Sequence, residues 1–312
     1  MPTRTRAAVA VPMQAIAIAM LIHVLWGANP VAVKYSLLVF PPLWTAFFRF
    51  LIAIVCVGIW AKMIGVSIWP ARHEWRALLF IGVMFTVQIA SMNIGFDLTS
   101  GSMGAVLIAT NPIFAALFAH FLLAGDRLSV FKATGLLVAF AGTALVLMGG
   151  SGDPQSAQGA WGNVILLMSA CLLGGRLIVS AKVLQKIDGA RVVLWQMILS
   201  LPLFALGGFL FESIRWDAMA WEPLAGLAYQ GVIVAGLGFS VSFYLMARYT
   251  PSVIVSFNFV SPIAGVLLSA WPLGDIITGH LWAGLVLVAA GLYLISQTNR
   301  PHSRACQTTR AP

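Results

Sequence analysis

The sequence predicts an all-α integral membrane protein in which ten transmembrane helices form two inverted five-helix repeats. Three observations lead there. First, apolar residues make up 60% of the 312 positions and charged residues only 9%, against about 25% charged in an ordinary soluble domain. The charges are segregated, which leaves runs of about 20 residues almost free of them, each long enough to cross a hydrocarbon core about 30 Å thick as a helix. Barrel strands would instead read as short segments of alternating polarity, and that pattern is absent. Second, the two halves of the chain close in the same way. Gly125-Asp126, Gly135-Leu136 and Gly142 recur at one constant offset as Gly274-Asp275, Gly284-Leu285 and Gly291. Each unit holds five spans, and five is odd, so two units joined end to end must lie in the membrane with opposite orientations. An inverted repeat around a midplane site is a common architecture of secondary transporters. Third, the cations alternate. Counted from a cytoplasmic N-terminus, one side receives Arg4, Arg6, Lys62, Arg72, Arg76, Arg127, Lys132, Lys182, Lys186, Arg191, Arg248, Arg300, Arg304 and Arg310, the other only Lys34 and Arg215. Such a bias places both termini in the cytoplasm, and nine or eleven spans would scramble it.

The elements follow in order. Residues 1–12 form a cytoplasmic tail. The first span, 13–37, follows a basic stretch like a signal peptide, yet its apolar run continues past Leu37 without a small-residue cleavage site and is retained as a helix. Gly27 to Pro30 marks a break within it, because proline lacks the donor an inner turn needs. Spans two to five cover 42–61, 76–96, 102–123 and 130–149, and the second and third are joined by the basic loop Lys62–Arg76. The linker, 150–160, is polar and free of Lys and Arg, as a non-cytoplasmic connection should be. Spans six to ten cover 161–181, 191–211, 223–246, 252–272 and 279–297, with the acidic external stretch Glu212–Glu222 before the eighth and a cytoplasmic tail over 298–312. The two repeats are thus 13–149 and 161–297. Trp69, Trp75, Trp161, Trp216, Trp221 and Trp271 lie near span ends, where indole faces headgroup and tail together. Gly135, Ala139 and Gly142 give the fifth span a small face, as Gly284, Val288 and Gly291 do the tenth. Small faces permit close helix contact, either with each other or across a homodimer, so monomer and homodimer both remain open.

Function classes are narrowed by what is missing. The net charge of +9 records orientation in a lipid bilayer, since basic and stacking residues do not cluster as nucleic-acid binding requires. Cys56, Cys171 and Cys306 form neither a disulfide framework nor a metal-ligand spacing, and no cofactor is expected. No span holds a Ser-His-Asp grouping, a His-Glu-x-x-His motif or an acidic pair, which leaves an intramembrane enzyme a remote alternative. A sensor or scaffold would normally append a soluble domain, and the loops are too short for one. All nine acids lie in loops or at span ends. A buried carboxylate is the usual proton or sodium carrier, so its absence favours a facilitator or exchanger.

Several motifs together resemble one known family. Trp26-Gly27-Ala28-Asn29-Pro30, then Lys34, Pro41-Pro42 and Arg49, look like the opening signature of the EamA-type family of the drug/metabolite transporter superfamily. The paired Gly-Asp…Gly-Leu…Gly segments resemble its closing signature, where the acid is more often Glu, and Asn111-Pro112 and Ser261-Pro262 match its fourth and ninth spans. The resemblance covers roughly residues 15–297. It implies ten helices, a central cavity, alternating access and a small-molecule substrate, with export of amino acids or related compounds from the plasma membrane (the inner membrane of a bacterium) as the leading expectation. A multi-drug or nucleobase exporter is the alternative. One departure stands out: the sixth span carries Gly174-Gly175-Arg176 where the first has Trp26-Gly27-Ala28 and where family members often have Trp-Ala.

Arg176 is accordingly the sharpest candidate. It lies six residues, or about 9 Å of helix, inward from Lys182. A cation at that depth should face protein or water, either as a clamp for a substrate carboxylate or phosphate or as a side chain that snorkels to the surface. Arg49 reads as structural, and Lys34 and Lys182 as paired gate or interface residues or as snorkelling cations. Asn29, Gln88, Asn93, Asn111, Gln230 and Asn258 are carboxamides within spans, and such groups need partners or a wet cavity. Asn111, Asn258, Gln88 and Asn29 are assigned to the cavity. Trp26, Trp195, Phe243 and Tyr244 are candidates for an aromatic wall, with Trp26 favoured by its place beside the break. His23 and His120 read as core residues.

Overall fold

A computed structural model describes residues 12–122, 130–148, 157–248 and 256–297. Every regular element among them is helical. Two helices, α1 (Met13–Gly27) and α2 (Asn29–Ser36), make up the first span. Their junction falls at Ala28 because Pro30 cannot donate into the preceding turn. Next come α3 (Pro42–Met63) and α4 (Trp75–Leu98). The fourth expected span is likewise two pieces, α5 (Gly101–Ile108) and α6 (Asn111–Leu122), since the Asn111 side-chain amide donates to the Ile108 carbonyl at 2.9 Å and Pro112 follows. The chain continues with α7 (Val130–Met148), α8 (Ala157–Val183) and α9 (Gly189–Phe211). The eighth expected span is α10 (Trp221–Ala228), a wider π-wound segment (Tyr229–Leu237) and α11 (Gly238–Arg248). A short 3-10 turn (Ser256–Phe259) leads into α12 (Val260–Leu273), and α13 (Gly279–Gln297) is last.

Eight of the described helical runs are long and apolar enough to cross a membrane, and α12 and α13 are shorter apolar helices. The ninth expected span, 252–272, begins at residues outside the described set. The charge-poor runs thus form helices for the reason the composition suggested: in hydrocarbon a backbone must satisfy its own polar groups.

The helices pack in recurring pairs: α3 on α9, α4 on α8 and α9, α6 on α8, α1 and α5 on α12, α2 on α10, and α7 on α13. One core of Phe50, Phe85, Phe96, Met197 and Phe204 runs through the middle. Of these contacts α7–α13 is a close backbone approach. A Cβ added at Gly135 would lie 2.8 Å from the Gly291 carbonyl oxygen, and one at Gly142 2.8 Å from that of Gly284. The two small faces therefore meet each other within one chain, backbone against backbone.

Helix ends at the face where Glu212 lies are closed by remote side chains. The N–H groups of Leu43 and Trp44 at the start of α3 donate to the Glu212 carboxylate at 2.9 and 3.2 Å. Ser102 N–H in α5 donates to Asp275 at 2.7 Å. Lys34 Nζ donates to the Phe96 and Thr99 carbonyls at the end of α4, both at 3.0 Å, and the Arg215 guanidinium donates to the Leu37 carbonyl. Each satisfies a terminal backbone group that the helix leaves unpaired.

At the opposite face Glu74, before α4, pairs with Arg191 of α9 at 2.7 Å. Arg191 Nε also donates to the Ser67 carbonyl at 2.9 Å. Burial pushes the Glu74 carboxyl up, but the Ala71 N–H and the Arg191 guanidinium outweigh it and hold the group below its ordinary value. A depressed folded-state pKa contributes stability that is present above the unfolded value and lost as pH falls through the folded one. Glu74→Gln should lower stability at pH 7 by about 1–3 kcal/mol. The gap between parent and variant in thermal unfolding should begin to narrow as pH falls below the ordinary carboxylate value of about 4.3 and close only below the depressed folded-state value. A gap that does not narrow on acidification would count against the ion pair as its cause.

Candidate functional site

Two groups of polar side chains within the helices stand out. The first lies where α4, α8 and α9 meet. Gly174 presses α8 onto α6, since a Cβ there would stand 2.9 Å from the Asn111 carbonyl oxygen and 2.7 Å from Ala115 N. Two positions on, about 200° around the helix, Arg176 faces away from α6. Its guanidinium donates to Gln196 Oε1 of α9 at 3.0 Å and sits 5.1 Å from the centre of the Phe85 ring of α4. Arg176 Nε is buried without a hydrogen-bond partner among the described residues. Gln88, one turn beyond Phe85, is buried and donates to Ser169 Oγ at 3.2 Å, while that hydroxyl donates to the Gln88 carbonyl at 2.9 Å. Its Oε1 is likewise buried and unpartnered. Ser169 and Arg176 are seven residues apart, two turns along one stripe of α8. Arg176 and Gln88 therefore occupy the same side of α8, about 10 Å apart along its axis.

Arg49 of α3 is also buried, and its guanidinium reaches Gln230 Oε1 at 3.5 Å, the outer limit of a hydrogen bond. Gln230 in turn donates to Ser36 Oγ at 2.8 Å and to the Ala32 carbonyl at 3.1 Å, which ties α2, α3 and the π-wound segment together. The ring of Phe50 lies 5.1 Å from the Arg49 guanidinium and 4.8 Å from Phe85. Two guanidinium groups thus stand at either end of an aromatic pair, each against a ring face that attracts cations.

The second group surrounds the break between α1 and α2. Trp26 Nε1 donates to the Val234 carbonyl of the π-wound segment at 3.1 Å, and the indole meets Phe239 edge-on at 6.1 Å. Asn29 Oδ1 is buried without a hydrogen-bond partner among the described residues. Ser261 Oγ, beside Pro262, donates to the His23 carbonyl at 2.9 Å. Asn258 is half-buried in the turn before α12, and Tyr244 of α11 is exposed. Among the described residues no hydrogen bond joins the two groups. The other candidates are placed elsewhere. Asn111 caps its own preceding turn, Lys34 holds the end of α4, and Lys182 is exposed near the end of α8. Trp195 belongs to the Glu74 face, where its Nε1 donates to the Ile68 carbonyl at 2.6 Å, so it does not share a wall with Trp26. The side chain of Phe243 lies outside the described set.

Gln196 is the partner the sequence reading passed over. It is a carboxamide within a span, the same signal that singled out Gln88 and Gln230. What the arrangement offers chemically is a guanidinium with one donor engaged by a neutral amide, no counter-carboxylate among the described residues, and a buried donor on Nε. Such a group recognises a carboxylate or phosphate oxygen.

Known proteins share this chain's sequence and shape. The model of the EamA-like transporter family matches residues 13–148 and again 160–297. An uncharacterized transporter of Bacillus subtilis, YvbV, is 26% identical over 289 residues, covering 90% of this chain and 91% of its own. A probable amino-acid metabolite efflux pump of Salmonella typhimurium is 24% identical over 290 residues, covering 89% and 93%. A solved crystal structure superposes with a TM-score of 0.69 over 93% of this chain and 99% of its own at 18% identity, a likeness of fold alone. With a family unit matched twice along nearly its whole length, the chain belongs to the EamA-like transporter family.

Proposed function

We propose that this protein is a secondary transporter of small metabolites, exporting amino acids or related compounds by alternating access through a cavity between two inverted five-helix repeats. The observation that carries the substrate class is Arg176, a cation within the helices whose described partners are the neutral Gln196 and the Phe85 ring. A site with one guanidinium and neighbouring amides suits a molecule bearing one carboxylate. The relative named as an amino-acid metabolite efflux pump supports that choice. Support for the repeat comes from the pairing of helices. The first span packs on the ninth, with Gly27 of α1 against the Ser261 carbonyl of α12, and the sixth packs on the fourth, with Gly174 of α8 against the Asn111 carbonyl of α6. These are equivalent helix pairs if the halves are related by a two-fold axis in the membrane plane, with the close glycine shifted by one position. Counterflow in proteoliposomes, with unlabelled amino acid trapped inside and the labelled compound outside, tests the reading. Uptake driven by no amino acid but by nucleobases or by apolar drugs would replace it with the alternative.

No acidic residue lies in the interior of a described span, so transport should proceed without an imposed proton or sodium gradient. Flux into vesicles, with and without each gradient, decides this. Accumulation that follows one gradient and collapses with an ionophore would overturn it.

The loop charges support cytoplasmic termini. In a background without native cysteines, Ser213→Cys should react with an impermeant thiol reagent added to intact cells and Ala71→Cys should not; both sites are exposed. The reverse pattern inverts the topology.

A further inference from the structure

A cavity of about 500 Å³ lies among α2, α10 and α12, and Arg176 is not among its lining residues. That is within the range of small-ligand pockets. Its walls include Tyr35, Trp221, Tyr229, Leu268 and Pro272, and its one charged lining residue is Glu222. Both phenol groups are anchored: Tyr229 Oη donates to the Leu25 carbonyl at 2.8 Å, and Tyr35 Oη donates to the Pro272 carbonyl at 3.1 Å. The rings are therefore held at the wall with their hydroxyl hydrogens committed elsewhere. Glu222 is half-buried, and its carboxylate accepts no hydrogen bond and forms no ion pair among the described residues.

We propose that this cavity binds an organic ammonium group, with Glu222 as its counter-charge and Tyr35, Trp221 and Tyr229 as its aromatic wall. Aromatic faces carry negative potential and attract cations, most strongly when both are withdrawn from water. A carboxylate beside them adds to that potential, so an anion is repelled and a neutral molecule gains only apolar contact. The plain alternative is that Glu222, in the first turn of α10, interacts only with the positive end of its own helix, while a lipid tail fills the groove. The two differ in one respect: the alternative has no preference for positive charge. The proposal rests on this cavity alone and does not depend on amino-acid export.

The probe is benzyltrimethylammonium, compared with neopentylbenzene, its neutral carbon isostere, on the purified full chain in uncharged dodecyl maltoside. Equilibrium dialysis should show saturable binding of the cation, with the isostere at least tenfold weaker. Glu222→Gln should weaken the cation at least tenfold and leave the isostere unchanged, while Glu222→Asp recovers part of the loss. Equal binding of the two probes to the parent protein, a comparison that needs no variant, would overturn the proposal. So would absence of saturable binding, or a Glu222→Gln protein that elutes and melts like the parent and binds the cation equally. Added phosphatidylethanolamine then identifies the source of the ammonium. Competition with the probe, absent with phosphatidylglycerol, assigns the site to a lipid headgroup amine; no competition assigns it to a free amine. Both results support ammonium recognition, and failure of amino-acid counterflow would leave them untouched.

Discussion

Gly291→Leu should yield little folded, monodisperse protein, and Gly291→Ala should already melt well below the parent. A Cβ at Gly291 would stand 2.6 Å from Ala139 Cβ, from Ala139 N and from the Gly135 carbonyl oxygen. None of these is the far end of a flexible side chain, so the clash is relieved only by moving α7 and α13 apart. Overpacking of a core typically costs about 1–3 kcal/mol, and here separation also forfeits contact along the whole face, because close van der Waals approach is what holds membrane helices together. Gly58 of α3 supplies the control. A Cβ there meets nothing within 4 Å, and Gly58→Ala should be neutral or stabilise by up to about 1 kcal/mol through helix propensity. Size-exclusion profiles and thermal unfolding in detergent measure both. A Gly291→Leu protein as stable as the parent would show that α7 and α13 do not pack as described.

Arg176→Gln should weaken substrate binding by roughly ten- to hundred-fold, the equivalent of losing a charge-assisted hydrogen bond of about 1.5–3 kcal/mol. Insertion and folding should survive, because the partners it leaves, Gln196 and the Phe85 ring, are neutral and no buried counter-charge is orphaned. Arg176→Lys should recover part of the affinity, since the charge remains and the planar fork is lost. Gln196→Leu provides a second arm: it removes the amide that positions the guanidinium without touching the charge, and should raise the Kd less than Arg176→Gln does. Binding of the compound that drives counterflow, measured on purified protein, reads all three. An Arg176→Gln protein that binds as tightly as the parent would make Arg176 a side chain concerned only with packing.

Local signals were legible and remote ones were not. The break at Asn29-Pro30 is a covalent fact about proline and appears in the structure where the sequence puts it, whereas the fourth span reads as continuous and the structure divides it at Asn111-Pro112. The small faces of α7 and α13 were visible as spacing, but whether they met each other or a second copy was decided only by three-dimensional packing. Lys34 read as a gate or a snorkelling cation. Its nitrogen instead meets two carbonyls at the end of α4, those of Phe96 and of the capping Thr99, more than sixty residues away, a partner that no spacing reveals. The same holds for Glu212 and Asp275, which sit at span ends like the other acids yet cap helices from the other half of the chain. The π-wound segment at Tyr229–Leu237 has no sequence signature of its own. It coincides with the Trp26 indole bonding the Val234 carbonyl and with Gly231 and Gly236 lying against α3.

The embrace of α7 and α13 also sets a timetable for synthesis. Gly142 and Gly284 are 142 residues apart in the chain, and translation at about 5–20 residues per second separates their emergence by on the order of ten seconds. Throughout that interval the glycine face of α7 lies in the bilayer with its partner unmade, as do the faces of α1 and α5 that α12 will cover. The nascent first half is therefore the form of this protein most open to capture by membrane chaperones and proteases, and its exposure ends only when the last helix has been inserted.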